Sequence, residues 1–293
     1  MIRGPILLFG LGTTGVSLGL ALRAYDSEAP ITGYDLDSEA VRRALASGSI
    51  TRSLESISYN VDPSTALVAI ALPPGEAPRA LREFGFAIPR SAIVMDLSRL
   101  MLPSIQVAAS FPELRRRFVP ACPIPRGSPA NTRASADRFA GATVLIGGDL
   151  TRRHGPGENA GAAADVADLW RALGAEPQEL APALNDALVA LTHHLPLLAA
   201  AAVLRTLRRT GSMTRLYAKD ETETIGAVSA AAEAIDDRAV ALFRLNAPKI
   251  LPALELLERE IRGLRHALED TGHKPALERL LAEARAFRGE LFE

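Results

Sequence analysis

The chain has 293 residues but only one cysteine, Cys122, and its charges nearly cancel, with 33 Lys+Arg against 34 Asp+Glu. A single cysteine excludes an internal disulfide framework and a cysteine-based zinc cluster, because each needs several. It also suits a reducing, cytoplasmic compartment. The balanced charge argues against a nucleic-acid-binding surface and against a polybasic membrane anchor. We therefore expect neither nucleic acid nor a membrane among its partners.

The sequence also lacks a targeting signal and an uninterrupted apolar run. Its N-terminus passes directly into a glycine-rich turn, with no basic stretch or cleavage site before it. The most apolar helical stretch, residues 188–204, contains His193, His194 and Pro196, whereas a membrane span needs about 20 mostly apolar residues. We predict a buried helix of a soluble protein there. No spacing of histidines or carboxylates predicts a metal site.

The first half of the chain alternates between two patterns. Short apolar runs predict strands at residues 5–9, 31–35, 66–72, 92–97 and 143–146, and a last strand is predicted near residues 176–180. Helical patterns lie between them, at about residues 37–46, 77–84, 100–110 and 160–173. This alternation predicts right-handed βαβ units and a parallel sheet. The glycine-rich polar segment at residues 147–161 predicts a mobile surface loop.

The second half, from Ala183 onward, is almost entirely helical in pattern. Two apolar stripes recur at three- and four-residue spacing, formed by Leu254, Leu257, Ile261, Leu264 and Leu268 and by Leu277, Leu280, Ala284, Phe287 and Leu291. We predict an α/β domain at residues 1–181 followed by an all-α domain at residues 182–293. The stripes favour a dimer interface, and the alternative is an intramolecular bundle.

A glycine motif is the strongest chemical signal. Gly10, Gly12 and Gly15 follow the first strand and open a helix, which is the context that a dinucleotide-binding turn requires. Gly10 permits the tight turn, Gly12 lets the backbone approach a diphosphate, and Gly15 lets helix and strand pack closely. Asp35 ends the second strand, where its carboxylate can accept hydrogen bonds from ribose hydroxyls.

These features predict a Rossmann-type domain that binds NAD. Asp35 favours NAD over NADP, since its carboxylate would repel a 2′-phosphate. Arg42 and Arg43 belong to the next helix and are discounted. The alternative is a Rossmann domain that binds another nucleotide or none. The predicted cofactor-binding residues are Gly10, Leu11, Gly12, Thr13, Thr14, Gly15, Asp35, Leu72 and Pro73.

The chain resembles the prephenate/arogenate dehydrogenase family of tyrosine biosynthesis. The stretches that carry the resemblance are residues 10–22, 33–50, 118–146, 183–203 with its His-His-Leu-Pro, and 246–261. The resemblance implies a Rossmann domain, a helical dimerisation domain and an NAD-dependent oxidative decarboxylation of a cyclohexadienyl acid. In that reaction hydride leaves a carbinol carbon for the nicotinamide, a histidine acts as base and an arginine binds a substrate carboxylate.

The sequence departs from the family's pattern at the catalytic positions. Cys122, followed by Pro123, stands where the family's first histidine is expected. The family's Asp-x-x-Ser-x-Lys stretch reads Asp96-Leu97-Ser98-Arg99-Leu100-Met101, so Arg99 replaces the serine and Met101 the lysine. Its histidine-aspartate pair reads Asn185-Asp186, and its arginine falls near Ala230. Arg215 and Arg244 are candidate replacements only because they are near in sequence.

The resemblance makes His194, Ser98 and Cys122 the predicted catalytic residues. His194 matches the family's His-Leu-Pro histidine and is predicted to line a cleft between the domains, on a helix kinked by Pro196. The alternative for His194 is a structural role. Cys122 is either a catalytic replacement or a packing residue in a proline-rich turn at residues 120–125.

Two other functions stay open at this point. One is a different two-domain Rossmann reductase of the imine or hydroxyacid type, for which Lys219 with Asp220 or Asp236 with Asp237 are candidate proton donors. The other is a non-catalytic NAD-binding protein that retains the fold. A protein that binds NAD but turns over no substrate would be the non-catalytic one. A protein that turns over other substrates but not the family's would be the reductase.

Overall fold

A computed structural model describes residues 2–57, 61–73, 75–126, 133–148, 159–209, 222–269 and 274–292. The strands are β1 (Ile6–Phe9), β2 (Ile31–Tyr34), β3 (Arg52–Ser53), β4 (Leu67–Ile70), β5 (Ile93–Asp96), β6 (Phe118–Ile124), β7 (Thr143–Ile146) and β8 (Glu176–Glu179). The helices of the first half are α1 (Thr13–Tyr25), α2 (Ser38–Ala46), α3 (Glu76–Phe84), α4 (Leu102–Ala108) and α5 (Ala160–Ala172). Those of the second half are α6 (Pro182–Val189), α7 (Leu195–Arg209), α8 (Thr222–Glu233), α9 (Asp237–Leu245), α10 (Ala247–Glu269) and α11 (Lys274–Phe292).

The strands form one eight-stranded sheet in the order β3-β2-β1-β4-β5-β6-β7-β8. The first six are parallel in the doubly wound Rossmann order, so the predicted fold class is confirmed. The prediction of a wholly parallel sheet is wrong at one place, because β6 and β7 pair antiparallel. The proline-rich turn predicted at residues 120–125 is also wrong in large part. Residues 120–124 belong to β6, although Pro120 and Pro123 cannot donate to its ladder.

Both faces of the sheet are covered, which explains the continuous apolar runs of its central strands. Trp170 of α5 and Phe139 meet edge to face on one side of the sheet, with ring centroids 5.0 Å apart. Phe84 of α3 and Phe9 meet on the other side at 5.8 Å. Helices on both faces therefore hold the carboxyl ends of the strands in fixed positions.

One long helix opens the second half. The α6 segment runs into a π-helical turn, Ala190–His194, which continues as α7. Pro196 has no N–H to donate to the carbonyl of Thr192. Just before it the helix has the wider hydrogen-bonding pattern of a π-helix, because the N–H of Leu195 donates to the carbonyl of Ala190, five residues earlier. The kink predicted at Pro196 therefore takes the form of a π-turn.

The residues from Pro182 to Arg209 are long and apolar enough to span a membrane by composition alone. The prediction that this helix is buried is wrong for the single chain, because only 22% of its most apolar window is covered. The buried positions face α10 and the first half, and they include Ala190, His194 and Leu197. The apolar outer face is left exposed.

Asp186 joins the two halves of the chain. Its side chain is 1% exposed, and its two oxygens accept from the N–H groups of Met101 at 2.8 Å and Leu102 at 3.0 Å. The amide of Asn185 also donates to Asp186 at 2.9 Å and to the carbonyl of Arg99 at 2.8 Å. A carboxylate at the N-terminus of α4 satisfies helix N–H groups that otherwise have no partner. The long helix is thereby fixed to the loop after β5.

We predict that Asp186→Asn lowers the free energy of unfolding by about 2 kcal/mol, because one backbone N–H then faces an amide nitrogen in a buried place. Urea denaturation followed by circular dichroism measures the change. Asp236→Asn is the matched control, since Asp236 is an exposed cap of α9 whose carboxylate accepts from the N–H of Ala239. Equal and small effects for the two variants would show that Asp186 does not hold the halves together.

Candidate active site

A cleft of about 750 Å³ opens at the carboxyl ends of β1 and β4. The order of the strands reverses between these two, which is where ligands bind in open α/β sheets. Eight of the nine predicted cofactor residues line the cleft, namely Gly10, Leu11, Gly12, Thr13, Thr14, Asp35, Leu72 and Pro73. The ninth, Gly15, lies beneath the turn and shapes it from below.

Two glycines of the turn have no room for a side chain. Gly10 has φ +99°, and a Cβ there would lie 2.5 Å from the carbonyl oxygen of Ala71. A Cβ on Gly15 would lie 2.0 Å from the carbonyl oxygen of Gly10, so α1 could not approach β1 with any larger residue. Gly12 faces open space. The turn is therefore closed at its base and open toward the cleft, where the N-terminus of α1 favours an anion.

Asp35 is fixed against this turn. One of its oxygens accepts from the N–H of Leu11 at 2.7 Å and the other from the N–H of Asp37 at 2.9 Å. Each oxygen keeps a lone pair for a further donor. The carboxylate is thus fixed at the mouth of the cleft, where each oxygen can accept one further hydrogen bond from a ligand.

Three arginines also line the cleft, and the sequence analysis assigned none of them to it. Arg43, which was discounted, reaches the cleft from α2 but lies 3.5 Å from Asp37 and 4.0 Å from Glu39. Arg79 of α3 bonds Glu83 at 2.9 Å. Arg238 comes from α9, so the helical half contributes directly to this cleft. No sequence spacing connects α9 with the glycine turn, because the contact depends on the relative placement of the two halves.

His194 forms a second centre, on the π-turn. Its side chain is fully buried, its ring meets Phe243 edge to face at 5.4 Å, and its Nδ1 lies 3.3 Å from Nδ2 of Asn246. The same Nδ2 donates to the carbonyl of Asp186 at 2.9 Å, which identifies it as the amide nitrogen because a carbonyl only accepts. Asn246 therefore donates to Nδ1, and the neutral ring carries its proton on Nε2.

The Nε2 atom of His194 is buried and has no hydrogen-bond partner among the described residues. Burial, then the positive charges of His193 and Arg99, lower the pKa of His194 from 6.5 to about 4. The ring is therefore neutral at physiological pH. A neutral imidazole with an unpartnered N–H offers a donor to a ligand oxygen.

Cys122 lies in β6 at the same edge of the sheet and is buried. Burial raises the pKa of its thiol from 9.0 to about 11, with Arg99 opposing this and Asp96 and Asp186 adding to it. A thiol that ionises near 11 is protonated at neutral pH and is a poor base. This environment favours the packing alternative.

Ser98 donates its hydroxyl to Asp96 at 2.7 Å, and its N–H reaches the same oxygen at 3.0 Å. Burial raises the pKa of Asp96, and the Ser104 and Ser98 groups oppose that rise. Arg99, the next residue along, is exposed and has no ion pair among the described residues. It affects the pKa values of Cys122, His193 and His194. Sequence reasoning recorded Arg99 only as a departure.

The other nominated residues fall outside this centre. Arg215, Lys219, Asp220 and most of the loop predicted at 147–161 lie outside the described residues. Asp236 caps α9, and Arg244 is exposed on α9 with no described contact to His194. Within the described ranges, no group of three His, Cys, Asp or Glu side chains is placed to hold a metal ion.

No protein-family model and no curated protein sequence matches this chain. Solved structures are similar over nearly its whole length. A prephenate dehydrogenase from Aquifex aeolicus, solved with hydroxyphenyl propionate and NAD+, has a TM-score of 0.84 at 21% identity and covers 99% of each chain. Synechocystis arogenate dehydrogenase has a TM-score of 0.79 at 17% identity and covers 98% of this chain and 100% of its own. The chain thus has the fold of these dehydrogenases, as the resemblance implied.

We predict that protonation of His194 makes the protein less stable as the pH falls. The folded protein binds this proton near pH 4 and the unfolded chain near pH 6.5, so the unfolded state holds more protons between these values. The neutral imidazole of His194 makes its full contribution to the free energy of unfolding above pH 6.5. This contribution, about 3 kcal/mol at most, is lost as the pH falls toward 4. Urea titrations from pH 7 to pH 4 measure it.

Two variants separate this contribution from the titration of carboxylates. His194→Gln should show a shallower loss of stability with falling pH than the unchanged protein. His266→Gln, at an exposed histidine of α10, should keep the original slope. Identical slopes in all three proteins would contradict a buried neutral His194.

Proposed function

We propose that the protein is an NAD-dependent oxidoreductase of the prephenate/arogenate dehydrogenase type. The reaction would oxidise and decarboxylate a cyclohexadienyl acid in tyrosine biosynthesis, in the cytoplasm. The observation that carries the proposal is the glycine turn with Asp35, open to a cleft that Arg238 of the helical half also lines. In this reading residues 1–181 bind the cofactor, and residues 182–293 complete the substrate site and the dimer.

The cleft fits a dinucleotide. The open face of Gly12 and the N–H groups at the start of α1 would hold the diphosphate. Asp35 would accept from the ribose hydroxyls, and its charge would oppose a 2′-phosphate. The positive charge of Arg43 is already engaged by Asp37 and Glu39, so it does not cancel this preference. Bound NAD+ would supply the hydride acceptor.

On the substrate side, we propose that His194 holds a substrate oxygen through its Nε2 proton. The hydroxyl of Ser98 is committed to Asp96, so we assign it to fixing the loop after β5. The protonated thiol of Cys122 packs at the end of β6. None of these groups is prepared to accept a proton at neutral pH.

That feature favours a second candidate function. A hydrogen-bond donor beside the cofactor suits a carbonyl oxygen that gains hydride, since charge develops on that oxygen in the transition state. A different two-domain Rossmann reductase is therefore the alternative. A non-catalytic NAD-binding protein is a further outcome that the same experiment distinguishes.

The test combines NAD titration with turnover. We expect the purified protein to bind NAD and to form NADH with prephenate or arogenate. Gly15→Ala should abolish both, because its Cβ would overlap the carbonyl of Gly10, whereas Gly226→Ala should abolish neither, since its Cβ meets open space. Binding without turnover of either substrate would remove the proposed reaction and leave the two alternatives. Absence of NAD binding would overturn the cofactor assignment.

We also propose that the helical half forms a homodimer. Much of the apolar surface is on the helices of the second half, including Leu188, Leu191, Val203, Leu251, Leu256, Ile261, Leu264, Leu268, Leu281, Phe287 and Leu291. A patch of this kind marks an interface. A second copy of the chain matches it, because both predicted stripes remain partly uncovered.

We predict that Leu264→Glu combined with Leu268→Glu converts the protein to monomers, since two charges cannot be buried without partners. Sedimentation velocity should give twice the chain mass of 31.1 kDa for the unchanged protein and the single mass for the variant. Phe86→Glu, at a residue 65% exposed in the first half, is the control and should stay dimeric. A monomeric unchanged protein would contradict the proposal.

A further inference from the structure

We propose that Arg238, in the first turn of α9, binds the diphosphate of the cofactor, so that the helical half of the chain holds NAD directly. The inference rests on the proposed function for the identity of the cofactor, and it adds a residue that the glycine motif does not include. Arg238 lines the cleft of about 750 Å³ together with residues 10–14 of the turn, Pro73 and Glu76. One cavity therefore joins a cation of the helical half to the turn that would hold the diphosphate.

Packing of α9 against the start of α3 places Arg238 at the cleft. A Cβ on Gly75 would lie 3.1 Å from Cδ1 of Leu245 and 4.0 Å from Cβ of Ala241. Leu242 is buried and lines a small cavity with Gly75. Arg238 stands three and four residues before Ala241 and Leu242, so it shares their face of the helix, one turn nearer the N-terminus. The face of α9 that packs on α3 therefore carries Arg238 to the cleft.

The charge of Arg238 is not engaged within the described part of the chain. The other two arginines that line the cleft, Arg43 and Arg79, each have a carboxylate partner. Arg238 is exposed and forms no ion pair with a described carboxylate, although Glu76 lines the same cleft. Among the described residues of the lining, Arg238 is therefore the arginine whose charge is available to a ligand.

The position of Arg238 within α9 argues against a role in stabilising that helix. It is the second residue of α9, after Asp237. The positive end of the helix dipole disfavours a cation in the first turn. The cap of α9 is supplied by Asp236, which accepts from the N–H of Ala239. A partner in the cleft, outside α9, accounts for an arginine at this position.

The diphosphate is the part of NAD that matches a guanidinium, because it carries the negative charges of the cofactor. The turn at residues 10–15 has no basic side chain, so it offers only N–H groups and the partial positive charge of α1. A guanidinium fork can donate two parallel hydrogen bonds to phosphate oxygens. Arg238 would supply the full positive charge that the turn lacks, and bound NAD would join α9 to α1 across the cleft.

The experiment measures the binding of NAD+, NADP+, ADP and adenosine to the purified protein by calorimetry. We expect Arg238→Gln to weaken NAD+ and ADP binding by about 10-fold, because charge-assisted hydrogen bonds are lost, and to leave the binding of adenosine, which has no phosphate, unchanged. Arg238→Lys should retain part of the affinity, since it keeps the charge but not the fork. Added salt should weaken NAD+ binding less in Arg238→Gln than in the unchanged protein.

Arg244→Gln is the matched control, because Arg244 is exposed on the same helix but does not line the cleft. It should bind each ligand as the unchanged protein does. The thermal midpoint of each variant without ligand shows that it is folded. Hydrogen exchange provides a second measurement, in which NAD+ should slow amide exchange in α9 of the unchanged protein and slow it less in Arg238→Gln.

Equal affinity of the unchanged protein and Arg238→Gln for NAD+ and ADP would overturn the inference, even if the protein oxidises prephenate or arogenate. An equal loss of adenosine binding would also overturn it, because Arg238 would then act on the adenosine or on the fold. A larger loss for NADP+ than for NAD+ would assign Arg238 to a 2′-phosphate instead.

Two further outcomes separate the inference from the proposed function. If neither NAD+ nor ADP binds to the unchanged protein, the inference and the cofactor assignment are overturned together. Arg238-dependent binding of NAD+ without turnover of prephenate or arogenate would refute the proposed reaction and leave the inference standing.

Discussion

The carboxylate of Asp186 accepts three hydrogen bonds where the sheet meets the helical half, and the geometry of the candidate site follows from it. A buried carboxylate is costly unless its oxygens are satisfied, so the N-terminus of α4 and the start of the long helix must stay together. Asn246 donates to the carbonyl of the same residue and to His194. One buried network therefore sets the loop that carries Arg99 and the orientation of the imidazole.

The cofactor cleft depends on a different constraint, the close approach of α1 to β1. Gly15 permits it, since any larger residue would overlap the carbonyl of Gly10. The approach aims the first N–H groups of α1 into the cleft and brings the N–H of Leu11 against Asp35. Arg238 reaches the same cleft from α9. Residues of both halves thus line the cofactor cleft.

The sequence predicted the Rossmann half well because its signals are local. Apolar runs locate the central strands, and the glycine spacing locates the turn at Gly10. The strand β6 escaped prediction because Pro120 and Pro123 resemble a turn, and its pairing with β7 is a long-range property. Arg238 was missed for a related reason, since its place in the cleft depends on residues far away in the chain. The exposure of α7 could not be predicted either, because an apolar stripe does not specify what covers it.

We propose that the cleft brings a nicotinamide cofactor to the polar centre at His194. A crystal structure of the protein with NAD+ and hydroxyphenyl propionate tests it most directly. We expect the diphosphate at the N-terminus of α1, the ribose hydroxyls on Asp35, and the nicotinamide directed toward His194. A dinucleotide bound elsewhere, or a nicotinamide directed away from His194, would contradict it.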